Sequence, residues 1–587
     1  MTEPSGSGGV AATLTAGARR AAAAFTAPGP LGRGGYIALA LFTLVVLVHA
    51  TSPAVYVNDM VFDTFVPLDG GWRVLQGQQP HVDFHTPVGT LWYAAYGAAM
   101  SVFGADPTVL LWVPVLATPV CVLLALGATR ERLPPIARAA LAVYVGFVVV
   151  SPRHFDRDTI AHLASYNRIG WALVTVVLLA VLLTPRTRSR LVEALEIGAI
   201  TASLVVLAYL KITYFALGGL GVAVAAVLLP GNRRVALISG VATWVVLIGH
   251  AAVSDLPWLY IDDIRSAMGA FDEAWAAYNA ERVPGTTKVF RAVLGNGIAL
   301  LAGALGLLWL SRTAGEDERK DVDRTLLAGA AMLAAIVLTT AQSHDHYCPA
   351  AIVPLALALS ALGHRAGRRP LTTRDQGVVG GLAVAMLAVV VQMGWADTLA
   401  IAVHRIGGAA GLSTPASGDA GARLAGLRLG AKPDPEPKVG LVVSGAVSPE
   451  VFNKLVPTPS LAGSELQVVL DEGVRTLRSL DQADGRVLTL AFSSPFAYAL
   501  GAPPPRGGAS WYDPGRTFGG DSPLDPAVVL ADVDVVMVPR VFELPVKWAM
   551  WEQLGPAIEA DFERHDTPLW TAWVKPASTP PALPGHR

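Results

Sequence analysis

Apolar residues along this chain fall into long uninterrupted blocks, broken by short polar segments rich in arginine. About 20 consecutive apolar residues are needed to cross a bilayer as a helix. Eleven runs approach that length, at about 36–54, 107–128, 133–151, 169–185, 193–210, 213–230, 235–253, 290–310, 325–341, 347–363 and 376–394. A twelfth block at 86–103, TPVGTLWYAAYGAAMSVF, is apolar and aromatic but short, and reads as a juxtamembrane or partly embedded helix. From about residue 395 the pattern changes. Charges, Pro and Gly appear at the density of a soluble protein, 396–437 reads as a linker, and 438–575 reads as a small α/β domain. Within that domain KVGLVV, RVLTLAF and DVDVVMVPR have the short Val/Leu-rich form of buried strands, while 464–480 and 544–565 have helical periodicity. The fold class expected is a polytopic α-helical membrane protein of about 11 transmembrane helices with a C-terminal extracytoplasmic α/β domain.

The polar segments supply an orientation. Lys and Arg concentrate on the cytoplasmic side of membrane proteins. With the N-terminus inside, RERLPPIAR (130–138), PRTRSR (185–190), GNRR (231–234), SRTAGEDERKDVDR (311–324) and GHRAGRR (363–369) all become cytoplasmic. The opposite loops, 55–106, 152–168, 211–212, 254–289 and 342–346, are mostly longer or richer in acids and histidines. The alternation holds only if 86–103 does not span. Residues 1–34 then form a disordered cytoplasmic tail, and 576–587 a Pro-rich one.

Composition agrees. Of 587 residues 53% are hydrophobic and 15% charged, with a mean hydropathy of +0.48. Soluble domains carry about 25% charged residues. A net charge of −1 argues against a nucleic-acid binder. Cys121 and Cys348 lie in or beside apolar runs and read as structural. The Ala/Arg/Gly/Val-rich composition fits a high-GC bacterium.

Candidate chemistry collects at the expected outer ends of the spans. The densest stretch is 58–89, holding Asp59, Asp63, Asp69, Arg73, His81, Asp83 and His85. Ionisable groups between membrane segments are costly unless they face water, a partner or a substrate. His81, Asp83 and His85 alternate, which in an extended stretch puts them on one face. That spacing admits a divalent cation, but Pro80 and Pro87 bracket it, and substrate positioning is the favoured reading. Segment 151–171 carries Arg168 just before a span, placed to grip a lipid phosphate. Lys211 stands between two apolar runs, and SHDHYCP (343–349) sets His346 and Tyr347 beside the following one. Loop 254–288 reads as an interfacial amphipathic helix. The aromatic, Gly- and Pro-rich 493–515 offers rings for sugar stacking or for a loop core.

The block GQQPHVDFHTPVGTLWYAAYGAAMSVFG (77–104) resembles the first-loop region of GT-C-type glycosyltransferases, among them protein O-mannosyltransferases and the aminoarabinose transferases of lipid A. The resemblance covers about 58–104. It implies a multi-pass enzyme of the bacterial plasma membrane that uses a polyprenyl-phosphate sugar outside the cytoplasm, with inversion. It also implies a first-loop acid upstream of the loop glycine. Upstream of Gly77 that acid is Asp63, with Asp59 four residues earlier as second candidate. An acceptor hydroxyl attacking the anomeric carbon must lose a proton, and a carboxylate within reach accepts it. Lys211 lies in a Lys-x-Thr segment, and His344 and Tyr347 in a His-x-x-Tyr one, of kinds found in the same enzymes. The partners implied are the lipid-linked sugar, an envelope glycan, lipid or protein acceptor, and membrane lipids. The alternatives are a lipid or sugar transporter or flippase, and a non-catalytic envelope scaffold. Transporters commonly hold ionisable groups inside their spans, whereas here they sit at span ends.

Overall fold

The computed structural model describes residues 31–58, 60–153, 160–162, 164–185, 189–271, 297–342, 352–409, 413–415, 422–430, 438–455, 463–541 and 544–576. In chain order the elements are α1 (Arg33–Ala50), β1 (Val55–Val57), α2 (Val61–Leu75), α3 (Thr90–Phe103), α4 (Val109–Thr129), α5 (Pro135–Val150), α6 (Ser165–Leu182), α7 (Arg190–Leu210), α8 (Ile212–Leu228), α9 (Arg233–Val253) and α10 (Leu256–Gly269). There follow α11 (Gly297–Thr313), α12 (Glu316–Gln342), α13 (Ile352–Arg368), α14 (Thr373–Ala409), β2 (Ser413–Pro415), β3 (Leu427–Gly430), α15 (Lys438–Val443), α16 (Pro449–Leu455) and α17 (Gly463–Ser479). The chain closes with β4 (Val487–Thr489), α18 (Phe496–Leu500), α19 (Pro526–Val529), β5 (Val535–Pro539), α20 (Leu544–Asp561), β6 (Glu563–Asp566) and β7 (Trp570–Val574). Two compact units result, one of residues 1–51, 111–255 and 279–403, the other of 52–110, 256–278 and 404–587.

The first unit is a helical bundle. Each of the eleven apolar runs overlaps a helix over its described residues. Among the described residues seven are long and apolar enough to cross a membrane: α1, α4, α6, α7, α9, α12 and α14. Helices α5, α8 and α11 are apolar but shorter. Large apolar side chains such as Leu41, Leu123, Leu195, Val241 and Trp244 stand exposed on these helices, as a lipid-facing surface requires. Helix α6 is buried on every side, which its apolar sequence from Ile169 onward predicts for a central helix. Small residues set the approach of its neighbours. A Cβ at Gly146 of α5 would lie 2.2 Å from Phe42 of α1, and one at Gly170 of α6 would lie 2.5 Å from Tyr214 of α8. The arginine-rich ends are knitted by buried ion pairs, Arg132 to Glu196 at 2.6 Å and Arg365 to Glu318 at 2.7 Å and Asp375 at 3.1 Å.

The second unit brings the first-loop segment together with the C-terminal third. Strand β1 pairs in parallel with β3, Val55 opposite Leu427 and Val57 opposite Leu429, and β2 completes a three-stranded sheet. A four-stranded sheet runs β4-β5-β7-β6, with β4 and β5 parallel and the other pairings antiparallel. Its core is built by Leu488, Val536, Met550, Leu554, Ile558 and Trp573. Several expectations change. KVGLVV is the helix α15, because its buried residues Val439 and Val442 are three apart, a helical spacing that so short an apolar run leaves open. The helix expected over 544–565 stops at Asp561, since 563–566 pair as β6 with β7. Within 396–437, where a linker was expected, α14 continues to Ala409 and β2 and β3 form. Helix α3 has 14 residues, about 21 Å at 1.5 Å per residue, short of a roughly 30 Å hydrocarbon core.

Candidate functional site

In the second unit, α2 carries Asp63 in its first turn, half-buried. The helix begins at Val61, after Met60 in the left-handed region (φ 51°). Asp59 lies outside the described residues. Pro67 stands one helical step beyond Asp63 and has no N–H to donate to the Asp63 carbonyl. Ser493 donates to the neighbouring Phe62 carbonyl. Twelve residues of α2 are buried, Asp69 and Arg73 among them, and these two pair at 2.7 Å. Burial pushes the Asp69 carboxyl up, opposed by the Arg73 charge. Arg73 also donates to the carbonyl of Pro505, and Gln78 to that of Pro504. The first-loop segment is thus clamped along 502–510.

His81, Asp83 and His85 do not line one strand face. His81 has φ 69° and starts a turn, which brings it and His85 to the same carboxylate. Asp263 of α10 accepts from His81 Nδ1 and from His85 Nδ1, each at 2.7 Å, and from the Thr86 amide at 2.9 Å. An ionised carboxylate only accepts, so both Nδ1 atoms carry hydrogen. Burial raises the Asp263 carboxyl, but the three hydrogen bonds outweigh it and hold the group below its ordinary value. The bond to Asp263 raises the His85 imidazole above 6.5. Tyr260 packs its ring 4.7 Å from His81. Asp83 turns elsewhere. It accepts from the Gln79 amide at 2.8 Å and faces Arg506 at 3.5 Å. Both Nδ1 atoms donate to Asp263, and among the described residues no group of three His, Cys, Asp or Glu side chains is placed to hold a metal ion.

In the bundle unit a second polar cluster forms where α1 and α5 end and α6 and α8 begin. Arg168 is buried at the start of α6, donating to the carbonyls of Ser151 and Arg153, and its Nε has no hydrogen-bond partner among the described residues. Lys211, between α7 and α8, donates to Asn167 Oδ1 at 2.9 Å, and its ammonium lies 5.0 Å from the Tyr166 ring centre and 5.7 Å from that of Tyr214. Asn167 immediately precedes Arg168. Asp397 of α14, fully buried, accepts from Ser151 at 2.8 Å and from Arg153 at 2.6 Å. His49 and His162 stack with centroids 6.1 Å apart. Among the described residues of this cluster Arg153, Arg168 and Lys211 outnumber Asp397, and Arg168 and Lys211 stand at helix N-termini, where an anion is favoured. His346 and Tyr347 lie outside the described residues.

Sequence reasoning missed Asp263 and Asp397. Asp263 left one signal, since it falls three residues after Tyr260 and so shares a helix face with it; these two are the buried residues of α10. Asp397 lies beyond the apolar run that ends near 394, in a stretch that reads as linker.

No family model and no curated protein matches the chain. Among solved structures it is similar to an oligosaccharyltransferase of Archaeoglobus fulgidus in complex with Zn and sulfate, at 11% identity and a TM-score of 0.40, over 91% of this chain and 73% of that one. It is also similar to ArnT of Cupriavidus metallidurans bound to undecaprenyl phosphate, at 13% identity and a TM-score of 0.40, over 93% of this chain and 99% of that one.

Proposed function

We propose that the chain is a multi-pass glycosyltransferase of the GT-C type, which moves a sugar from a polyprenyl-phosphate donor to an envelope acceptor on the extracytoplasmic face. The observation that carries this reading is the cationic cluster of the bundle, Arg168 and Lys211 joined through Asn167 at the head of the central helix. A guanidinium and an ammonium at helix N-termini suit a phosphate that gains charge as it leaves. The likeness of 58–104 to the first loop of these enzymes supports it independently. In the reaction proposed, the acceptor oxygen bonds to the anomeric carbon, the bond from that carbon to the phosphate oxygen breaks, and the acceptor proton passes to Asp63. The products are the glycosylated acceptor and the polyprenyl phosphate, and one displacement inverts the anomeric centre. His81, His85 and Asp83 shape the loop that follows the helix of Asp63.

Two variants and two readouts test this. Binding of undecaprenyl phosphate to the purified chain is measured by native mass spectrometry. Transfer is read from the lipid-linked sugars and envelope glycans of cells that carry each variant as their sole copy. Asp63→Asn should bind the lipid as before and lose transfer by at least about 100-fold, the scale of general base catalysis. Lys211→Ala should lose lipid binding. Unchanged transfer by Asp63→Asn overturns the base assignment, and unchanged binding by Lys211→Ala overturns the phosphate site.

A further inference from the structure

A cleft of about 320 Å³ opens on the C-terminal sheet, between α16, β5, β7 and the start of α20. It lies within the size range of small-molecule sites, roughly 300–1,000 Å³. Its walls are indoles. Trp551 and Trp573 have centroids 5.8 Å apart and tilted by 40°, while Trp548 is 60% exposed.

Between the rings the cleft is cationic. Lys547 is 7% exposed and lies in the first turn of α20, where the helix dipole opposes a positive charge. Its ammonium sits 4.4 Å from the Trp548 ring centre, and among the described residues no carboxylate pairs with it. Burial, and then the Arg540 charge, push its pKa down to about 8. Arg540 also lines the cleft, donating to the Thr567 carbonyl at 2.7 Å and facing Glu450 at 3.4 Å. A buried polar acceptor completes the wall. Asn453 gives its amide to the Arg540 carbonyl, while its Oδ1 is buried with no hydrogen-bond partner among the described residues.

We infer that this cleft binds an acidic saccharide, its ring faces stacked on the indoles, its hydroxyls donating to Glu450, and its anionic group against Lys547 and Arg540. A lipid tail would leave the cations unsatisfied. A neutral glycan would leave the buried ammonium without a counter-charge among the described residues, a costly state. The inference deepens the transferase reading by giving the acceptor its chemistry, but it can fail separately, because its test contains no donor.

The probes are trigalacturonic acid and its methyl ester, which differ only in the charge of the carboxylates. Each is titrated into the purified full-length chain in detergent, and binding is read from tryptophan fluorescence and from saturation-transfer NMR. The acid should bind at least tenfold more tightly than the ester. Trp548→Ala should weaken the acid by tenfold or more, and since Trp548 is exposed this variant keeps its fold. Lys547→Gln should reduce the acid to the affinity of the ester, and Lys547→Arg should restore it. Equal binding of acid and ester, or an unaltered affinity in Lys547→Gln, overturns the anionic ligand. Absence of binding by either probe overturns the site. Asp63→Asn should bind both probes as the parent chain does.

Discussion

Replacing Asp263 by alanine removes the acceptor shared by His81, His85 and Thr86. The His81 side chain is fully buried, so the loss strands polar groups away from water, at a cost of about 3 kcal/mol. Amide exchange over 79–86 should accelerate in Asp263→Ala while the bundle helices exchange as before. The two sides of this contact titrate in opposite senses. His85 is raised above 6.5, so its contribution is complete below that value and is lost as pH rises through the raised one. Asp263 is lowered below 3.8, so its contribution is complete above 3.8 and is lost as pH falls through the lowered one. Protection of 79–86 should therefore hold through mildly acidic pH and weaken on the alkaline side, as exchange from about pH 5.5 to about 8.5 will read. An unchanged profile would mean that His85 does not titrate in this range. At this scale the sequence was half legible. His81 and His85 announce themselves by spacing, but their partner is 178 residues away from His85, and no local pattern links them.

The helix pair α2–α3 depends on three glycines. A Cβ at Gly70 would stand 2.1 Å from Tyr93, one at Gly71 2.7 Å from Tyr96, and one at Gly97 2.7 Å from Val74. The close crossing seats Tyr93, whose hydroxyl bonds to Thr86 at 2.8 Å and Ser510 at 2.9 Å. Gly70→Ala must displace that ring, costing about 1–3 kcal/mol, and thermal unfolding of the purified chain should move down accordingly. The apolar runs of the bundle were readable because a spanning helix has to be apolar over a fixed length. The C-terminal elements were less so, since a six-residue run such as KVGLVV satisfies strand and helix alike until its packing partner decides.

For the molecule as a whole, charge asymmetry gives the orientation to test. In a background with both native cysteines replaced, a cysteine at Arg312 should be labelled by an impermeant maleimide only after the membrane is opened, and one at Asp106 in intact cells. The reverse pattern would overturn the topology and place the first-loop segment inside. The pairing of β1 with β3 carries a further consequence, one of timing. Val55 and its partner Leu427 are separated by 372 positions in the chain, so a ribosome must make the whole bundle before β1 can find its neighbour. Until then the first-loop segment waits without its sheet. Nascent chains stopped near residue 403 should be cut by protease within 52–110, whereas the finished protein resists. The strand that precedes Asp63 thus gains its sheet only once Leu427 and its neighbours have been made.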